Sequence, residues 1–323
     1  MPALREAMLL AHLMNEAESY EFPKPSRVVL DIGGDPTEVV EVKRAPRAGT
    51  RFDLDVVVFP GNPGSALFYS GYMKHVHRVF HASGRSVRLR CVSHLGHARH
   101  VYGSGRWSLA DQVDHKRRYL ERELAEVDSD KLLIVGHSIG GYMAIEAVKR
   151  CTASMEKAKV LAMMPYLAFD IRSSKQRMLR AVAQRPAIPA LFAGTLGLFP
   201  GFIRRPLVRA SDPKLENEAV SIVADAMCYS VIHNCFSLAR SEFASLPRNA
   251  RAVDWTWMRR NADRLGFVYA PDDHWAPEKH MAAVQKEVPE AWLQYDEKLC
   301  HGFVTQDKAC QRMARLTKTF WES

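Results

Sequence analysis

The chain has 323 residues, 47% of them hydrophobic and 25% charged, which excludes a disordered or fibrous protein and suits one large globular domain or two. Its six cysteines (91, 151, 228, 235, 300 and 310) form no Cys-x-x-Cys pair and no metal-ligand spacing, so they read as reduced thiols in a cytosolic setting. The formal net charge of +9 is concentrated: residues 171–211 hold eight Lys and Arg and no Asp or Glu, leaving +1 elsewhere, which argues against a nucleic-acid-binding coat and for an anionic lipid surface.

The start, Met1-Pro2-Ala3-Leu4-Arg5-Glu6, lacks a secretory layout, and Glu16 and Glu18 argue against a transit peptide, so an N-terminal helix is expected there. Glu38–Arg44 and Asp55–Phe59 read as strands, the second nearly all apolar and therefore central. Ser65–Ala82 reads as a helix and Val87–Ser93 as a strand. Trp107–Val127 has the spacing of a long charged amphipathic helix, with Ser108 as its N-cap. Leu132–Gly136 and Val160–Met164 are buried strands on either side of a turn and helix. After Pro165 the alternation stops. It resumes with the strand Gly266–Ala270, the helix Pro277–Val288, the strand Trp292–Tyr295 and the helix Thr305–Phe320. The expected architecture is an α/β parallel sheet in two parts, 1–164 and 264–323, interrupted by a mostly helical insertion at 165–263, with 1–37 as an N-terminal extension.

The chemistry centres on Gly136-His137-Ser138-Ile139-Gly140, between an apolar strand and a helix. Glycines two before and two after the serine allow a turn too tight for side chains there, and the turn lifts the hydroxyl to the carboxyl edge of the sheet. An ordinary Gly-rich strand-to-helix loop could share the pentapeptide; the strand–turn–helix context favours a nucleophile at Ser138. A serine hydroxyl needs a base, and the base an orienting acid, in the chain order Ser, Asp or Glu, His. The strand ending at Ala270 leads into Pro271-Asp272-Asp273-His274-Trp275-Ala276-Pro277, and His301 follows the last strand. Both loops belong at the edge that carries Ser138. Asp272 and Asp273 compete for the acid role; Asp273 is preferred because the following x-Trp-x-Pro should fix its loop. An oxyanion needs two N–H donors: Ile139, after the nucleophile, and one from Pro60-Gly61-Asn62-Pro63-Gly64, where Asn62 has an N–H that Pro60 and Pro63 lack. His94-Leu95-Gly96-His97 with His100 has no carboxylate or cysteine at ligand spacing and reads as a polar loop near the site mouth, not a metal centre. No phosphate loop or dinucleotide fingerprint occurs, so no cofactor is expected.

These motifs resemble those of the lipid-droplet-associated hydrolase family of α/β-hydrolase proteins. The matching pieces are Pro60-Gly61-Asn62-Pro63-Gly64 with Phe68-Tyr69, Ser93-His94-x-Gly96-His97, Ser108-Leu109-x-x-Gln112-Val113-x-His115-Lys116, Gly136–Gly140, Asp273-x-Trp275-x-Pro277 and His301-x-Phe303. They run from about residue 55 to 320; Leu95 and the adjacent Asp272 and Asp273 depart from the pattern. The resemblance implies an α/β-hydrolase fold, Ser138 as nucleophile, Asp273 as acid and His301 as base. It also implies a serine esterase or lipase acting on neutral-lipid esters such as sterol esters, held peripherally on the cytosolic face of lipid droplets and endoplasmic reticulum.

The insertion carries a second signal. Pro186–Ile203 is uncharged, too short for the roughly 20 residues a bilayer span needs, and interrupted by Pro189 and Pro200. A hairpin or shallow helix in a lipid monolayer fits it, with Leu191, Phe192, Leu196 and Phe199 inserted and Arg204 and Arg205 at the headgroups. A cap helix over the active-site cleft would show the same apolarity. The enzyme reading competes with a droplet surface protein that keeps the hydrolase fold and works by binding lipid or partners.

Overall fold

The apolar runs become the middle of one sheet. In the computed structural model, which describes residues 22–43, 51–101, 105–125, 127–128, 131–151, 155 and 157–323, eight strands lie in the order β1-β2-β4-β3-β5-β6-β7-β8. They are β1 (Ser26–Ile32), β2 (Asp35–Lys43), β3 (Leu54–Phe59), β4 (Val87–Val92), β5 (Leu132–His137), β6 (Lys159–Met163), β7 (Leu265–Tyr269) and β8 (Trp292–Tyr295). β2 is antiparallel to β1 and β4; every pairing from β4 to β8 is parallel. Every residue of β3, β5 and β7 is buried, as helices on both faces of a parallel sheet require.

The connections decide where a site can form. The helix α1 (Ser70–His81) carries the chain from β3 to β4 on one side, while α2 (Leu109–Glu123) and α3 (Ile139–Arg150) carry it back across β3 to β5 and on to β6. Right-handed crossovers in opposite directions put their helices on opposite faces. The carboxyl ends of the neighbouring strands β3 and β5 therefore diverge into a crevice, the usual place for ligands in such sheets. α2 starts at an N-cap box as expected: Ser108 Oγ accepts from the Asp111 amide at 3.3 Å and Asp111 Oδ2 accepts from the Ser108 amide at 2.7 Å.

Between β6 and β7 lie α4 (Ser174–Ala183), α5 (Ala187–Leu196), α6 (Gly201–Ser211), α7 (Asn217–Ala226), α8 (Tyr229–Ser245) and α9 (Thr256–Arg260), with no strand among them. The chain closes with α10 (Glu278–Glu287) and α11 (Asp307–Glu322), the latter packed against α1 through a 2.7 Å bond between Tyr72 and Thr317. One apolar cluster, including Ile139, Met143, Tyr166, Leu238 and Phe243, joins α8 to the crevice; a small second one, Val208, Val220 and Ala224, joins α6 to α7.

Two expectations need adjustment. The sheet begins at Ser26, inside the stretch assigned to an N-terminal extension; β1 is an exposed edge strand, turned into β2 by Gly33 and Gly34 at φ +66° and +91°. The single helix expected over Ser65–Ala82 is a 3-10 turn, Ala66–Tyr69, followed by α1. The helix expected at the N-terminus falls within residues 1–21, outside the described residues.

Candidate active site

Ser138 stands where β5 meets α3. Its backbone is held at φ +55° and ψ −124°, which a non-glycine residue adopts only at a cost of order 1–3 kcal/mol. The strain is over-determined by hydrogen bonds. The Ser138 amide donates to Met163 O at 2.9 Å, and its carbonyl accepts from Gly141 and Tyr166 at 2.9 and 3.1 Å. The flanking glycines are required for separate reasons. A side chain on Gly136 would strike the Gly140 carbonyl, and one on Gly140 would strike the carbonyls of Phe59 and Pro60 at the end of β3. Gly140 thus answers to β3 rather than to Gly136.

The loops after β7 and β8 meet this serine. His301 Nε2 lies 3.0 Å from Ser138 Oγ, and His301 Nδ1 lies 2.6 Å from Asp273 Oδ2. The Asp273 side chain is fully buried, and its other oxygen accepts from the amides of Trp275 and Ala276 at 2.8 and 3.1 Å. Burial alone would raise its pKa; the bond and charge of His301 and the two amides outweigh that and hold it below the ordinary value. An ionised carboxylate only accepts, so His301 Nδ1 carries the proton and Nε2 is left to accept from the serine. Asp272 is exposed, in left-handed backbone at φ +53°, and does not bond His301. The arrangement can take a proton from the serine and stabilise the charged imidazole that results.

The loop after β3 lies against the serine: a Cβ on Gly61 would sit 3.1 Å from Ser138 Cβ. The Gly61 amide donates to Tyr69 Oη at 2.8 Å, and Tyr69 is in turn 2.7 Å from His137 Nδ1. Burial first, then the charge of His301, pushes His137 down to about 3, so its neutral ring accepts from Tyr69. Among the described residues, the amides of Asn62 and Ile139 donate to no protein acceptor. The Asn62 side chain is tied to the insertion, donating to Cys235 O at 2.9 Å and to Glu242 Oε1 at 3.3 Å.

Several supports of this loop escaped sequence reasoning. His94 and His97 are buried, not at a site mouth. The His94 ring fills the space a Gly64 side chain would need, and His97 Nδ1 accepts from the Gly64 amide at 2.9 Å. Burial and the charge of Lys116 push His97 down to about 3, keeping it an acceptor. Gln112 and Lys116, one turn apart on the inner face of α2, hold the neighbouring strand end. Gln112 exchanges two bonds with the Leu95 backbone, and Lys116 Nζ donates to Ser93 O at 2.6 Å and Val92 O at 3.2 Å. Lys116 is fully buried and, among the described residues, has no carboxylate partner; burial pushes its amine down to about 7. Polar residues at i and i+4 on a buried helix face were the available signal.

The insertion residues divide. Leu191, Phe192 and Phe199 are exposed and Leu196 is half-buried, with Ile188, Leu198 and Phe202 adding to the same bare surface. Arg205 is exposed, but Arg204 is a correction: it is 8% exposed, bonded to Ala224 O and 3.6 Å from Asp225, so it ties α6 to α7 and does not face headgroups. The sequence alternates around a helix, and one residue's offset turns the guanidinium inward. No single described helix is long and apolar enough to cross a membrane.

Comparison with known proteins bears on this geometry. A family model described as "Lipid-droplet associated hydrolase" matches residues 53–304. Proteins named lipid droplet-associated hydrolase are 24% identical in Gallus gallus, over 82% of this chain and 82% of that one, and 21% identical in Dictyostelium discoideum, over 83% and 86%. The Homo sapiens protein of that name is 24% identical over 78% of this chain and 80% of its own. Among solved structures, E-2-(acetamidomethylene)succinate hydrolase superposes with a TM-score of 0.63 at 15% identity, covering 93% of this chain and 100% of that one. The thioesterase domain from the curacin biosynthetic pathway gives 0.60 at 16%, covering 91% and 99%. These likenesses establish the α/β-hydrolase fold.

Proposed function

The chain belongs to the lipid-droplet-associated hydrolase family, and from that premise we propose that it is a carboxylic ester hydrolase acting on neutral-lipid esters, sterol ester or acylglycerol, at the droplet surface. The observation that carries this reading is the continuous line from Asp273 through His301 to Ser138, at 2.6 and 3.0 Å, beside two amides with no protein acceptor. Ser138 Oγ attacks the ester carbonyl as His301 Nε2 takes its proton, and Asp273 stabilises the imidazolium. The carbonyl oxygen, now negative, accepts from Asn62 and Ile139, at the N-terminus of α3 where negative charge is favoured. His301 returns the proton to the leaving alcohol, and water, activated by the same ring, releases the acyl group from Ser138.

The exposed apolar surface of α5 and α6 supports peripheral seating on a lipid monolayer, with Phe192, Leu198 and Phe202 inserted and Arg205 at headgroup level. A fluorophosphonate probe tests the chemistry. Labelling of the wild type and not of Ser138→Ala, with hydrolysis of droplet-presented sterol or glycerol esters, is the expected result. Absence of labelling both in detergent and on lipid would favour the surface-protein reading instead.

A further inference from the structure

A cavity of about 600 Å³ lies between the start of the insertion (residues 170–172), the 248–255 loop and α10, and Ser138 does not line it. Besides Lys279, four cations line it: Arg172, Arg248, Arg251 and Lys286. Among the described residues none of these four pairs with a carboxylate. The two acidic residues of the lining are already engaged, Asp170 with Lys279 and Glu287 with Arg259. The wall also holds His280, which is 2% exposed and whose two ring nitrogens have no hydrogen-bond partner. Buried polar atoms without partners are rare in native structures, and these two lie closed off within the wall, so the charged side chains on the open side of the cavity are what a ligand meets. Trp255, Ala250 and Ala283 supply an apolar floor.

We propose that this cavity is a second, non-catalytic site that binds a phosphoryl group carrying more than one negative charge. Three guanidinium forks suit tetrahedral oxygens bidentately, and a lysine adds a point charge. Four unpaired cations complement a phosphate at about −2 far better than a single carboxylate at −1. Ile171 is exposed on the rim, and α4 immediately beyond it exposes Met178 and Val182, so a headgroup anchored in a lipid surface can reach the cavity while its tail stays with apolar side chains. A soluble phosphate ester has the same recognition chemistry.

The test uses the full chain. Inorganic pyrophosphate is titrated by calorimetry, and flotation is measured with phosphatidylcholine vesicles with and without a phosphatidylinositol monophosphate, at constant salt. The triple variant Arg248→Gln, Arg251→Gln, Lys286→Gln should lose pyrophosphate affinity on the order of a thousandfold, since each charge-assisted bond counts for about tenfold. Ala282→Phe keeps every charge but narrows the cavity and should lose binding too. Arg315→Gln, exposed on α11 and outside the cavity, should bind pyrophosphate like the wild type, and all variants should cleave a short soluble ester normally. Vesicle recruitment that needs the phosphoinositide and fails in both cavity variants identifies a lipid headgroup as the source. Pyrophosphate binding without vesicle preference identifies a soluble phosphate ester. No binding of either probe, or undiminished binding by Ala282→Phe, overturns the proposal.

Discussion

Asp273→Asn is the sharpest probe of the proposed chemistry, because the surroundings dictate how the amide must sit. Asp273 Oδ1 accepts two backbone amides, from Trp275 and Ala276, at 2.8 and 3.1 Å. An asparagine will keep its carbonyl oxygen there, since turning its NH2 toward two N–H donors would leave three buried donors facing one another. The NH2 is then aimed at His301 Nδ1, which must accept. Its proton moves to Nε2, the atom 3.0 Å from Ser138 Oγ, and that atom can no longer take the serine proton. The fold is preserved while the base is held in the wrong tautomer. The expected loss is about 10⁴ in kcat, or about 5.5 kcal/mol of transition-state stabilisation. Turnover of a short soluble ester and the rate of fluorophosphonate labelling would both be measured, with circular dichroism confirming the fold. Activity within about tenfold of wild type would refute the assignment. So would a larger loss in Asp272→Asn, whose carboxylate does not bond His301.

Other perturbations have equally definite signs. Burial, partly offset by the Asn62 bond, pushes Glu242 up to about 8 from an unfolded value of 4.5. A raised folded pKa favours the native state below the unfolded value, and that advantage is lost as pH rises through the folded one. Glu242→Gln should therefore stabilise the fold at about pH 8 by on the order of a few kcal/mol, read as a higher Tm, and change Tm little at about pH 4; a variant less stable at the alkaline end would contradict this. Phe192→Ser, Leu198→Ser and Phe202→Ser together strip side chains that are 70, 85 and 75% exposed. At about 1.5–3 kcal/mol each if inserted, their loss should release the protein from droplets roughly a thousandfold at every salt concentration, scored by droplet flotation. Arg205→Glu should weaken droplet binding about tenfold at low salt only. Gly140→Ala places a methyl group against the Phe59 and Pro60 carbonyls, so thermal melts should show destabilisation and labelling of Ser138 should fall.

Most of the framework was legible because it is written in local periodicity. Buried parallel strands are continuous apolar runs, so β3, β5, β6 and β7 stand out to within a residue or two, and Ser108 announces α2 by a local capping box. The serine turn is legible for the same reason: its glycines and its strand and helix are contiguous. β1 was not legible because an edge strand with both faces largely exposed needs no apolar run; Gly33-Gly34 was its one local mark. What only the tertiary structure decided are contacts between residues far apart in sequence. It set Asp273 and not Asp272 against His301, since the exposure of two adjacent carboxylates depends on a turn and on His301 arriving from another loop. It turned Arg204 inward, because a composition count cannot register which side of α6 meets α7. It placed Lys116, His97 and Glu242 around the loop after β3, and gathered four scattered cations around one cavity. Local order follows from backbone propensity and hydrophobic period, whereas such assemblies exist only once crossovers bring separate strand ends to one edge.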